Sequence, residues 1–200
     1  MFRADLRAVT GRDRVGPVRA AWLVLTRPGV LATLLYRWQQ AADQRVAAPL
    51  LRSLNHVLTG ADFVVGAEIG PGVRIEHPNG IAIGTRAVVG ANAFICQRVT
   101  LGERLGENRG HEYPVVGDDV FLGAGATVLG PVRIGSGAMV GAAAVVLHDV
   151  PAGAVAAGNP ARIVRRHAHT AGRNAGQATE QWSHQRSATP DTAEAQKTAL

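Results

Sequence analysis

His77 stands in the stretch VRIEHPNGIAIG (residues 73–84), and a carboxylate, Asp62, lies fifteen positions ahead of it. An imidazole with an ordinary pKa of about 6.5 can take up and return a proton near neutrality. A carboxylate beside it raises its basicity and selects the tautomer, which is what a general base acting on a hydroxyl requires. His-Pro-Asn-Gly is also the composition of a plain turn, so these residues alone leave chemistry and turn both open. Cys96 is the single cysteine of the chain, which excludes an internal disulfide and a cysteine-based zinc site. It follows Ile95 where a small residue is wanted, so core filling is expected of it. A reducing, cytoplasmic setting is the corresponding expectation.

The elements that must position His77 announce themselves as a repeat. Aliphatic or aromatic residues recur every six positions at Phe63, Ile69 and Ile75, then at Ile83, Val89, Ile95 and Leu101, and again at Val116, Leu122, Val128, Ile134, Val140 and Val146. Gly follows the repeating residue in eight of these thirteen units. Neither a helix nor an ordinary strand has this period. A chain that runs a short strand, turns and repeats does, so that three units close one triangular coil and each coil buries its aliphatic residues against the next. Thirteen units make just over four coils. The period slips twice, by eight residues at VRIEHPNGIAIG and by fifteen between Leu101 and Val116, across GERLGENRGHEYPV. Insertions in a solenoid carry what the regular coil cannot. With coils 63/69/75 and 83/89/95, His77 lies at the corner between the third strand of one coil and the first of the next. Asp62, just ahead of the first strand, then occupies the same edge one layer below.

The flanks differ. Residues 1–60 are expected to be helical docking elements, with Val30, Leu31, Leu34, Leu35 and Trp38 at helical spacing and a break at Arg27-Pro28-Gly29. An interfacial membrane helix, using Trp22, Tyr36 and Trp38, is the competing reading. The N-terminus is charged before any apolar run and so lacks signal-peptide form, and the run Ala20–Leu35 is interrupted too early to span a bilayer. Residues 165–200 lose all periodicity and are expected to be a disordered tail. Basic residues outnumber acidic ones 9 to 3 in residues 1–60, but acidic ones lead 9 to 7 in 61–164. A nucleic-acid groove on the repeat is therefore not expected.

The run DFVVGAEIGPGVRIEHPNGIAIG, with FICQRVTLG and PVVGDDVFLGAGATVLGPVRIGSGAMVGAAAVVLHDVPAGAVAAGNPARIV, resembles the serine O-acetyltransferase family of hexapeptide acyltransferases over about residues 60–164. The resemblance implies a mainly β fold: a left-handed parallel β-helix (61–164) behind a short N-terminal α-helical segment (1–60), with a flexible C-terminal tail (165–200). It implies acetyl-CoA as co-substrate, no metal, His77 as general base and Asp62 as the residue that orients it. It places a second site histidine, His111, with Arg109 on the later insertion, reaching a neighbouring subunit's site, and puts Glu76 where serine-specific members carry Asp. Gly102, Ala124 and Ala142 would line the acetyl-CoA groove, with Arg162 near the CoA phosphates.

The family has Arg-His-Pro in sequence where this chain has Arg109-Gly110-His111-Glu112-Tyr113-Pro114, so two acceptors stay open: L-serine, feeding cysteine synthesis, and a sugar hydroxyl of an exopolysaccharide or specialised metabolite. A lyase of the γ-carbonic anhydrase type needs three coil histidines, and only His77 and His111 are suitably placed, so zinc is not expected. An inactive scaffold is disfavoured by the presence of both Asp62 and His77. A homotrimer is the expected assembly, and a tail ending in Leu200 leaves room for a contact with O-acetylserine sulfhydrylase.

Overall fold

The computed structural model describes residues 1–104 and 112–166. Four helices come first: α1 (Phe2–Thr10), α2 (Pro17–Thr26), α3 (Pro28–Ala41) and α4 (Ala47–Thr59). Proline at the first turn opens α2 and α3, where its missing N–H costs nothing. Left-handed glycines, Gly11 and Gly60, close α1 and α4.

From residue 62 the chain winds as a three-sided parallel β-helix. Strands are numbered in chain order. The first face stacks β1 (Asp62–Phe63), β4 (Ala82–Ile83), β7 (Thr100–Gly102), β10 (Thr127–Leu129) and β13 (Val145–Val146). The second stacks β2 (Glu68–Ile69), β5 (Val88–Val89), β8 (Val115–Val116) and β11 (Arg133–Ile134). The third stacks β3 (Arg74–Ile75), β6 (Phe94–Ile95), β9 (Phe121–Leu122), β12 (Met139–Val140) and β14 (Ala154–Ala157), and closes with antiparallel β15 (Arg162–Arg166).

All thirteen repeating residues are buried in one core. The register joins them in columns, Phe63 to Ile83 to Leu101 to Val128 to Val146 on the first face. Each buried aliphatic stabilises by roughly 1.5–3 kcal/mol, so the columns account for the cohesion of a stack whose parallel strands are only two to four residues long. The winding continues further than the six-residue period suggests. Val150 bridges to Ile134 and Ala156 pairs with Val140, completing a fifth coil with Val146. The step from Val146 to Val150 is four residues, which is why the spacing rule stops short there.

The helices act as the cap that a solenoid's first coil needs, because that coil has no neighbour below to satisfy its backbone. Gln39 Nε2 donates to the Phe63 carbonyl, the Tyr36 hydroxyl donates to the Ala67 carbonyl and accepts from Ile69 N–H, and Arg37 donates to the Ile69 and Gly70 carbonyls. Asp5, from α1, accepts from Gly72 N–H and Val73 N–H while pairing with Arg37. Tyr36 is 1% exposed and its ring meets Phe63 edge-on at 5.2 Å. That role takes Tyr36 away from a membrane surface, although Trp22 and Trp38 are exposed. No single described helix is long and apolar enough to cross a membrane.

Candidate active site

His77 belongs to the two-residue excess between β3 and β4. Its backbone is left-handed, φ 54°, which is uncommon outside glycine. The corner on which it sits is otherwise regular: the residues two places ahead of the first-face strands, Gly60, Gly80, Arg98, Gly125 and Ala143, all have φ between 55° and 75°. His77 is an additional left-handed residue inserted before that column, and its side chain is exposed.

The register identifies what continues up the same edge. Ile75 pairs with Ile95, Ile95 with Leu122 and Leu122 with Val140. Two residues further on, the corresponding positions are His77, Gln97, Ala124 and Ala142. The last two of these positions carry small side chains. Gly102 lies elsewhere, at the far end of β7, on the next corner of the prism, where the long insertion departs. The insertion is braced at its base, where the Tyr113 hydroxyl meets Glu103 Oε2 at 3.3 Å and its ring packs over Gly84, a position with no room for a Cβ. Arg109 and His111 lie outside the described residues. Arg162 is exposed on β15 and helps line a separate pit of about 190 Å³ with His148 and Asp149, at the closing end of the prism.

Below His77 a cavity of about 240 Å³ is lined by Val9, the α2–α3 break from Thr26 to Val30, and Ile75, Glu76, His77 and Pro78. The N-terminal helices thus form one wall of the candidate site. Gly29 lets α3 press directly on the Ile75 carbonyl. Glu76, in the bend just after β3, is held by Arg74 on that strand through contacts of 3.0 and 2.7 Å to Oε1, and the Arg74 guanidinium lies 4.8 Å from the Phe94 ring centre.

Asp62 pairs with Ala82 across the first face and so sits on the edge that leads out of the His77 turn. Its carboxylate is engaged by a residue the sequence reading did not single out. Arg52 of α4 grips it with both arms, Nε–Oδ1 2.5 Å and Nη2–Oδ2 2.8 Å. The Arg52 hydrogen bonds and charge hold the Asp62 carboxyl below the usual carboxylate range against the opposing effect of burial, and His56 adds to the lowering. The only sequence signal for Arg52 is a lone cation on the helix that precedes β1. Cys96 is half-buried rather than part of the packed core, and it sits one coil above Glu76. Burial, with Glu76 as the next contribution, pushes its thiol up.

The arrangement places an exposed imidazole at the edge of a small cavity and a carboxylate on the same edge, with Ala124 and Ala142 at the positions that follow in the coils above. Residues 113–148 match the family model for the bacterial transferase hexapeptide (six repeats). Serine acetyltransferase from Mycobacterium tuberculosis is 39% identical over 168 residues, covering 82% of this chain and 72% of that protein. The soybean serine acetyltransferase solved in complex with serine superposes with a TM-score of 0.70 at 40% identity, over 80% of this chain and 67% of that one. The Brucella abortus serine acetyltransferase solved in complex with coenzyme A gives a TM-score of 0.73 at 31% identity, over 84% and 68%. The chain spans about half the length of the Arabidopsis thaliana serine acetyltransferases it matches, 46% and 51%. With the repeat, the left-handed β-helix and relatives of this identity in agreement, the chain belongs to the serine acetyltransferase family of hexapeptide-repeat acyltransferases.

Proposed function

We propose that this protein transfers the acetyl group of acetyl-CoA to the hydroxyl of L-serine, with His77 as general base. The observation that carries the reading is the position of His77, exposed on a left-handed turn at the edge of a cavity of about 240 Å³. Such a space suits a small amino acid. Glu76 in the same wall gives an anionic partner for an amine.

One imidazole nitrogen takes the acceptor's hydroxyl proton as the oxygen attacks the thioester carbon. The tetrahedral adduct collapses with cleavage of the C–S bond, and the imidazolium returns the proton to the departing thiolate. No covalent enzyme intermediate is needed, so Cys96 has no nucleophilic part. Backbone N–H groups of the coil are candidates for holding the oxyanion. Asp62 orients the ring and stabilises its charged form. Acetyl-CoA lies along Ala124 and Ala142, with Arg162 toward its phosphates.

Gly102, Arg109 and His111 belong to the next corner of the prism or to the insertion that leaves it. A site that unites Gly102 with His77 draws Gly102 from a neighbouring copy, which supports a homotrimer. The outward face of α4, where Leu50, Leu54, Val57 and Leu58 are all exposed, supports self-association as well. Cytoplasmic cysteine biosynthesis is the role this activity serves, and a sulfhydrylase contact through the C-terminal tail belongs to the same reading.

The test is thiol release from acetyl-CoA with a panel of acceptors, alongside His77→Ala. L-serine turnover that falls about 10²–10⁴-fold in the variant is the expected result. Turnover with sugars alone rejects serine as acceptor, and undiminished activity in the variant rejects the base. Mass measurement by light scattering tests the trimer.

A further inference from the structure

Arg52 is not assigned by the repeat, by its motifs or by the acyl-transfer scheme, yet it makes the closest polar contact at the candidate site. Its helix is a rigid platform: Ala48 and Asn55 are wholly buried, Asn55 Nδ2 donates to the Ala32 carbonyl on α3, and Thr59 closes the last turn back onto Asn55. From that platform the planar guanidinium meets both oxygens of Asp62 in a two-pronged geometry, the arrangement that fixes a carboxylate's plane as well as its charge. Each carboxylate oxygen retains a second lone pair, so an Asp62 held this way keeps acceptor capacity for a further partner.

We propose that Arg52 is a positioning residue for the acyl-transfer base, fixing the plane of the Asp62 carboxylate and offsetting its charge on the edge it shares with His77. The proposal rests on the reading of Asp62 and His77 as a working pair. The charged and titratable groups around this edge are Arg52 and His56 from α4, Arg27 at the α2–α3 break, Glu76 with its partner Arg74 on β3, and Arg98 stacked over Gly80 in the coil above. Arg52 alone among them grips the Asp62 carboxylate in two places. Without it, an uncompensated Asp62 favours the imidazolium and withholds the base at neutral pH.

The experiment is the pH dependence of kcat/KM from pH 5.5 to 9 in the full-length protein and in Arg52→Gln, Arg52→Lys and Asp62→Asn. In Arg52→Gln the acidic limb is expected to move up by about one pH unit, with kcat reduced about tenfold through lost orientation. Arg52→Lys, which keeps the charge but not the fork, should restore the limb and leave kcat low. Asp62→Asn should move the limb the opposite way. A limb that stays in place in Arg52→Gln while Asp62→Asn shifts it overturns the role of Arg52, whatever happens to thermal stability. A limb that Asp62→Asn does not move overturns the pairing of Asp62 with His77 itself, and this role with it.

Discussion

Asp5 and Arg37 form an ion pair inside the base of the β-helix, Nε–Oδ2 2.8 Å, with side chains only 3% and 6% exposed. The carboxylate also receives Gly72 N–H and Val73 N–H, and the guanidinium also serves the Ile69 and Gly70 carbonyls. One pair of side chains thereby ties α1 and α3 to the corner between the second and third faces of the first coil.

Removing one partner of such a pair leaves an uncompensated buried charge, which costs about 3–5 kcal/mol. Asp5→Ala should therefore lower the urea midpoint sharply. Arg7→Ala, which breaks the exposed pair with Asp13, should leave it nearly unchanged.

Burial of the Tyr36 phenol pushes its pKa up to about 12. The folded state therefore holds this proton at pH values where the unfolded chain, with an ordinary tyrosine pKa of about 10, has released it. The sign follows from linkage: the contribution is fully present below pH 10 and is lost as pH rises toward about 12. Melting temperature measured from pH 9 to 12 should show this fall, and Tyr36→Phe should flatten it. The same variant leaves Ile69 N–H and the Ala67 carbonyl without their partner, a cost of about 1–3 kcal/mol.

Gly29 has no space for a side chain, since a Cβ there meets the Ile75 carbonyl oxygen. Gly29→Ala must push the start of α3 away from β3, and with it the cavity wall beside Glu76 and His77. Overpacking of this kind costs about 1–3 kcal/mol. Steady-state kinetics should show a raised acceptor KM, with the KM for acetyl-CoA little changed.

Cys96 stacks over Glu76 one coil above it, and its thiol is held above the usual range by burial. Iodoacetamide should modify it slowly at pH 7 and faster as pH rises, with the rise displaced to higher pH than for a free thiol because burial disfavours the thiolate. The rates can be followed by intact mass. Occupation of the site by substrate should slow modification further, because Cys96 lies one step from the edge shared by His77 and Gln97.

The six-residue period was enough to predict the prism, the buried columns and the corner that carries His77, because a hexapeptide places one inward residue per strand regardless of what packs outside. Residues 146–156 break that spacing, so the fifth coil is visible only through the pairing of Val150 with Ile134 and Ala156 with Val140. Helical periodicity in residues 1–60 indicated docking helices, but not that Asp5, Tyr36, Arg37 and Gln39 would satisfy the backbone of the first coil. Those contacts join residues far apart in sequence, with no repeating pattern to betray them.

At the site the division is similar. The chain by itself determined that a histidine occupies a break in the repeat and that Asp62 stands at the start of the coil below it, where it opens β1, since both follow from counting residues along a regular coil. Only the tertiary structure decided what surrounds them. A helix folded back under the first coil brings Arg52 onto Asp62, and the α2–α3 break becomes a wall of the His77 cavity. Likewise, the sequence presented Gly102, Ala124 and Ala142 as equivalent small residues. The winding separates them, because residues that follow the first-face strand and residues that follow the third-face strand turn at different corners of the prism.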